Sequence, residues 1–164
     1  MSTSIKVNDQ VVSGQLLVTF SINNSLFGVN ITAVSTIVRL PRITALPVSH
    51  PFIIGITNLH GTIIPIIDLH KRFDFPPVEY RETARVVVVK SDEFMAGLIV
   101  DTMVGTVRLA SVDIEQFSSR LSSDKNDYIY GVGKHDHGII LLLSVPQLFC
   151  QQDVERLQSL LQRA

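Results

Sequence analysis

The chain has 164 residues, 46% of them apolar and 18% charged, with a formal net charge of −1 at pH 7. That balance excludes a disordered or fibrous chain and leaves no electrostatic footprint for a nucleic-acid partner. A chain of this length can bury a core as one domain, or as two small subdomains sharing one. The single cysteine, Cys150, excludes an intrachain disulfide and fits a reducing compartment. No apolar run approaches the ~20 residues of a spanning helix, and the polar start lacks the apolar stretch of a signal peptide. A soluble, cytoplasmic protein without membrane insertion is expected.

Residues 1–14 read as a flexible tail. Leu16, Leu17, Val18, Phe20 and Ile22 then give a strand, Asn23 and Asn24 supply turn chemistry, and residues 26–31 return as its partner in a hairpin. Residues 33–40 read as a strand or a short helical turn, and Pro41, Pro47 and Pro51 prevent a long helix after it. Residues 52–59 and 62–67 form a second hairpin through His60 and Gly61. Pro65 has no ladder donor, so its strand should be an edge or have its N–H side free. Asp68 suits the N-cap of a short helical turn over 69–73. Strands follow at 86–89, 95–100 and 105–109, then a polar loop over 118–127 and a last hairpin over 128–143 that turns at Lys134–Gly138. Val154, Leu157, Leu160 and Leu161 stand at helical spacing, so residues 150–164 read as a terminal amphipathic helix. Many short strands at about ten-residue spacing argue an all-β barrel or sandwich.

The chain also repeats itself. Phe52, Gly55, Ile56, Ile63, Ile64 and Phe73 return 76 residues on as Tyr128, Gly131, Val132, Ile139, Ile140 and Phe149, with a one-residue slip that sets Gly138 against Gly61. A second pair, Gly28, Ile31, Val34, Ile37, Arg39 and Leu40, returns 69 residues on as Gly97, Val100, Met103, Thr106, Arg108 and Leu109. This is one small β-unit used twice rather than a solenoid. Ser144 occupies the place of Asp68 in the second copy and also suits an N-cap.

Candidate chemistry is sparse. His135, Asp136 and His137 resemble a ligand cluster but lie in a turn, and no Cys or Glu partner stands at a zinc spacing. The five histidines, His50, His60, His70, His135 and His137, read as solvated turn residues. Asp68 and Asp101 could serve as a carboxylate pair, but a helix cap and a strand-end residue explain them better. Arg39, Arg42, Lys71, Arg72, Arg81 and Arg85 are scattered and read as solvated surface. There is no nucleophile elbow, phosphate loop or dinucleotide fingerprint. A binding module without enzymatic activity, metal or cofactor is the reading this leaves.

Gly55, Asn58, Leu59, His60, Gly61, Pro65, Asp68 and Leu69 stand at the spacing of the signature of the CheW family of bacterial chemotaxis adaptors. Leu46, Pro47, Pro51 and Phe52 upstream, with Gly97 and Asp101 downstream, extend the match, and the chain resembles that family over about residues 15–149. One departure stands out: His60 occupies a position where the family usually carries arginine. The resemblance implies an all-β fold of two interleaved five-stranded SH3-like barrels with short connecting helices, one barrel built by the chain ends and the other by the middle.

The resemblance also implies an adaptor that couples methyl-accepting chemoreceptors to the histidine kinase CheA. The receptor's cytoplasmic tip would lie in a groove at Val34, Gly55, Asn58, His60 and Gly61, with the two glycines keeping one wall flat for a helix. The regulatory domain of CheA would meet the barrel ends, and the isolated protein would be monomeric. Within 114–127, where the family makes barrel-to-barrel contacts, Ser118, Ser119, Arg120 and Leu121 match no specific family contact. No receiver domain is expected, which sets the chain apart from the CheV arrangement. Two rivals are an array component that binds receptors without the kinase, and a metal-dependent enzyme using His60, His135 and His137.

Overall fold

Asn23 and Asn24 both take positive φ, 53° and 65°. This is the backbone of a two-residue type I′ turn, and asparagine reaches it more readily than most residues because its short amide bonds locally. The computed structural model describes residues 4–7, 10–46, 50–92, 94–117, 128–136 and 138–148, with Glu155 and Ser159. In chain order the strands are β1 (Ser4–Val7), β2 (Gln10–Ile22), β3 (Ser25–Asn30), β4 (Val34–Arg39), β5 (Ile53–Leu59), β6 (Thr62–Asp68), β7 (Arg85–Lys90), β8 (Met95–Val100), β9 (Thr102–Ala110), β10 (Ile114–Gln116), β11 (Ile129–His135) and β12 (Gly138–Leu143). One short helix, α1 (Leu69–Arg72), follows β6.

The strands form two sheets. One is seven-stranded, in the order β1-β2-β3-β12-β11-β10 with β9 also paired to β2, and the other runs β4-β7-β8-β6-β5. The chain ends therefore build the first sheet and the middle builds the second, which is the interleaving the family resemblance implies. β4 follows β3 in sequence but pairs with β7, while β9 follows β8 but pairs with β2. The repeat is visible in the pairing: β12 joins β3 in parallel, and β6 joins β8 in the same way.

Residues 1–14 are not simply a tail, because β1 pairs with the start of β2 from Ser4↔Ser13 to Val7↔Gln10. Apart from Glu155 and Ser159, whose backbones are helical, the expected terminal helix lies outside the described residues, as does the 118–127 loop.

Pro65 sits inside the sheet, between β5 and β8, rather than on an edge. Ile56, its partner on β5, directs both its N–H and its carbonyl to Thr44 on the other side, at 2.9 and 2.8 Å. Ile56↔Pro65 is thus a non-hydrogen-bonded pair, and the missing donor faces away from β5. The β6–β8 ladder begins only at Ile66, so no bond is lost there.

Burial divides by strand periodicity. On β7, Val86 and Val88 face a cluster within the second sheet with Ile64, Ile66 and Ile99, while Val87 and Val89 face a larger core shared by both sheets. In the first sheet Leu17, Leu109, Ile140 and Leu142 form the matching inner cluster. The shared core holds Phe20, Ile22, Phe27 and Val29 from the first sheet against Phe52, Ile67, Leu69 and Leu98 from the second. A strand buried on both faces reads as a continuous apolar run, which explains the unbroken valines of β7.

Candidate functional site

The hairpin tip between β5 and β6 is held from within. Leu59 and Thr62 are the last pair, and His60 and Gly61 take φ of 53° and 88°. Asn58 Oδ1 accepts the Gly61 N–H at 2.8 Å, fixing the turn. His60 is exposed, and a Cβ added at Gly61 would meet nothing within 4 Å. Gly61 is therefore explained by its backbone conformation, which β-carbon-bearing residues rarely adopt.

Val34 opens β4, pairs with Val89 and packs half-buried against the shared core. β6 runs parallel to β8 and β8 antiparallel to β7, so the 58–61 tip, the β7–β8 connection and Val34 lie towards one end of the second sheet. Gly55 departs from the expectation. It is buried, and the Thr44 carbonyl and the Ile43 side chain occupy the space a side chain would need. It offers no flat wall to a partner; it lets the 43–44 segment lie against β5. Gly131 does the same for Glu115 in the first sheet.

Ile63, directly across β5–β6 from Asn58, is an exposed large apolar residue beside the tip. Its repeat counterpart Ile139 is exposed as well, at 61%. Both sit inside continuous apolar runs, and no periodicity marks which member of such a run faces out.

A second polar cluster lies where the two sheets meet. Asp68 precedes α1 and its Oδ1 accepts from His70 N at 3.0 Å, Lys71 N at 3.4 Å and the Tyr80 hydroxyl at 2.6 Å. Burial, then the bond to Asp68 and the negative charges of Asp68 and Asp101, push the Tyr80 phenol well above its ordinary range. Ser144 makes a different contact: its backbone carbonyl accepts from Gln147 N at 3.1 Å at the entry to the 3-10 turn Pro146–Leu148.

His70 corrects the picture of solvated histidines. It is 1% exposed, and its Nε2 lies 2.8 Å from Asp101 Oδ1. His50 is half-buried, and its Nδ1 accepts from the N–H groups of Phe52 and Ile53, each at 3.2 Å. Arg72 is not free surface either. Its guanidinium stacks between Phe52 and Tyr128, 5.0 and 4.5 Å from the ring centroids, and its Nε donates to Leu148 O at 2.7 Å. Phe52 and Tyr128 are repeat counterparts, so Arg72 ties the two copies together. Among the described residues no three His, Cys, Asp or Glu side chains are grouped to hold a metal, and His137 lies outside them. Among the same residues no helix is long and apolar enough to cross a membrane.

Residues 16–153 match the model of the CheW-like domain. The chain belongs to the CheW-like domain family. It is 27% identical over 158 residues to a chemotaxis protein CheW of Treponema pallidum, covering 94% of this chain and 91% of that one. It is 30% identical over 156 residues to a probable chemotaxis protein CheW of Rhizobium etli, covering 94% and 99%. The crystal structure of the scaffolding protein TtCheW from Thermoanaerobacter tengcongensis superposes with a TM-score of 0.74 at 32% identity, over 84% of this chain and 88% of that one. As a CheW-like domain protein of nearly full family length, this chain is a non-enzymatic chemotaxis adaptor.

Proposed function

We propose that the protein couples chemoreceptors to the histidine kinase CheA through two separate surfaces of one CheW-like domain spanning about residues 15–149. The CheW-like match over residues 16–153, on a fold shared with a scaffolding protein, carries this reading. The receptor's cytoplasmic tip seats at the end of the second sheet formed by Val34, Asn58, His60 and Gly61. Support comes from the tip's construction: Asn58 fixes the turn from inside, so His60 is presented on a rigid, pre-ordered hairpin, which lowers the ordering cost of binding. The regulatory domain of CheA takes a barrel end. The adaptor works by favouring one conformation of the kinase over another, which requires differential contacts and no chemistry of its own.

The protein is cytoplasmic and monomeric in isolation under this proposal, and joins membrane-associated arrays through its partners. Titration calorimetry with the CheA regulatory domain alone, and separately with a receptor cytoplasmic fragment, tests it. Saturable binding to both is expected. Binding to receptor but not to kinase would replace the coupling role with that of an array component.

A further inference from the structure

Asp101 stands between β8 and β9, where the chain leaves the second sheet for the first. Four contacts converge on it. Its N–H donates to Ser21 O at 3.1 Å, and its Oδ2 accepts from Asn23 N at 2.9 Å, both on the β2–β3 hairpin of the first sheet. From the second-sheet side, Oδ1 accepts from His70 Nε2 at 2.8 Å, and its carbonyl accepts from Thr83 Oγ1 at 2.9 Å. One residue thus bonds the turn of one sheet and the helix of the other through the same carboxylate.

His70 depends on that carboxylate. With an acceptor facing it, Nε2 carries the proton, and Nδ1 is left buried with no partner among the described residues. A buried polar atom without a partner destabilises its site, so something must hold the ring in place. Asp101 holds it at Nε2, and Asp68 holds the His70 backbone N–H while also accepting from Tyr80. The resulting chain of bonds runs from the Asn23 amide through Asp101, His70 and Asp68 to Tyr80. Asn23, Asp101, His70 and Tyr80 line a cleft of about 430 Å³ whose walls come from both sheets.

We propose that Asp101 is a latch coupling the two sheets, so that the order of α1 and the order of the Asn23–Asn24 turn rise and fall together. A partner that displaces α1 would then loosen the far hairpin without touching it.

Residue-resolved amide hydrogen exchange on the full chain tests this with two variants. His70→Phe removes the Nε2 donor and the orphaned Nδ1 while keeping an aromatic ring. The Asn23 amide, which His70 does not touch, should then exchange about tenfold faster, the scale of one lost charge-assisted bond. The Val88 amide in the β7–β8 ladder should keep its parental rate. An Asn23 amide at the parental rate would overturn the latch. So would Val88 accelerating by the same factor, because that marks general loss of stability. Asp101→Asn keeps the shape but not the charge, and decides the matter if His70→Phe does not fold. The Asn23 amide and the Phe73 amide, which closes α1 on Leu69 O, should accelerate together, and acceleration of only one counts against coupling.

Discussion

The hairpin β5–β6 with α1 and the hairpin β11–β12 with its 3-10 turn share a set of buried apolar positions and differ at their polar ones. Ile64, Ile66 and Ile67 in the first copy answer to Ile140, Leu142 and Leu143 in the second, and all six are buried. Gly55 and Gly131 are both pressed by a crossing backbone. The differences fall elsewhere. His60 and Asp136 occupy the same left-handed turn position, at φ of 53° and 52°. Asp68 is replaced by Ser144, His70 by Pro146 and Arg72 by Leu148. Packing is what the two copies share. The solvent-facing tip and the polar junction are where the copies diverge: among the described residues, the first copy carries His70, which meets Asp101, and the aromatic-stacked Arg72, and the second has neither.

The comparison can be broken hardest at its shared positions. Ile66→Ala and Leu142→Ala should each destabilise the protein by about 2–5 kcal/mol in urea denaturation, because both open a cavity in a buried apolar cluster. Both variants should still unfold in one transition, since Phe20 and Phe27 of one sheet pack in the same core as Ile67 and Leu98 of the other. Two separated transitions would mean that the sheets are independent domains.

Asp68→Ala and Ser144→Ala should separate the copies. The first strands the Tyr80 hydroxyl and the amides of His70 and Lys71, at a cost of about 1–3 kcal/mol. The second should stay within about 0.5 kcal/mol, the ordinary range for a change that strands no buried partner. Equal losses would show that the two caps do equivalent work.

The tips give a smaller effect, visible in binding rather than stability. His60→Arg should leave stability within about 0.5 kcal/mol and strengthen receptor-fragment binding severalfold, the scale of a gained exposed charge contact of about 1 kcal/mol. Asp136→Ala on the other tip should leave that affinity unchanged. If Asp136→Ala weakens receptor binding and His60→Arg does nothing, the receptor site belongs on the first sheet.

The smallest effect is in alkali. The Tyr80 phenol is raised by burial and by Asp68, so it ionises later in the folded than in the unfolded chain. Between those two values the unfolded chain binds fewer protons. Stability should therefore be unaffected by Tyr80 below about pH 10 and decline as pH rises beyond it. Tyr80→Phe should flatten that decline.

Most strands, their turns and the duplication are legible because they follow from local rules: apolar runs, asparagine and glycine at left-handed positions, and an offset visible in Gly55 and Gly131; β1 and the three-residue β10 are not. The crossover of β4 and β9 between sheets was not, since no local preference records which distant strand Val34 or Thr102 will pair with. The interleaving came from family resemblance alone. The Asn58–Gly61 motif stands out in the sequence, but the reason for each of its residues does not. Gly55 and Gly61 look alike in sequence, yet one is forced by a neighbouring carbonyl and the other by its own φ. His70 reads in the sequence as a solvated turn residue, because nothing local marks its burial. Its partner Asp101 lies 31 residues away, and only the fold brings the two together.

The parallel pairing of Phe27 with Leu141 has a consequence for how the protein is made. β3 leaves the ribosome before β4 to β11, and its neighbour β12 only after them, so while those strands are made β3 is an unprotected sheet edge. Such edges invite pairing with other chains. The second sheet draws all five strands from residues 34–100 and can be completed first. Burial of Phe20 and Phe27 against it would then hold the early hairpin in waiting until the C-terminal strands arrive to close the sheet.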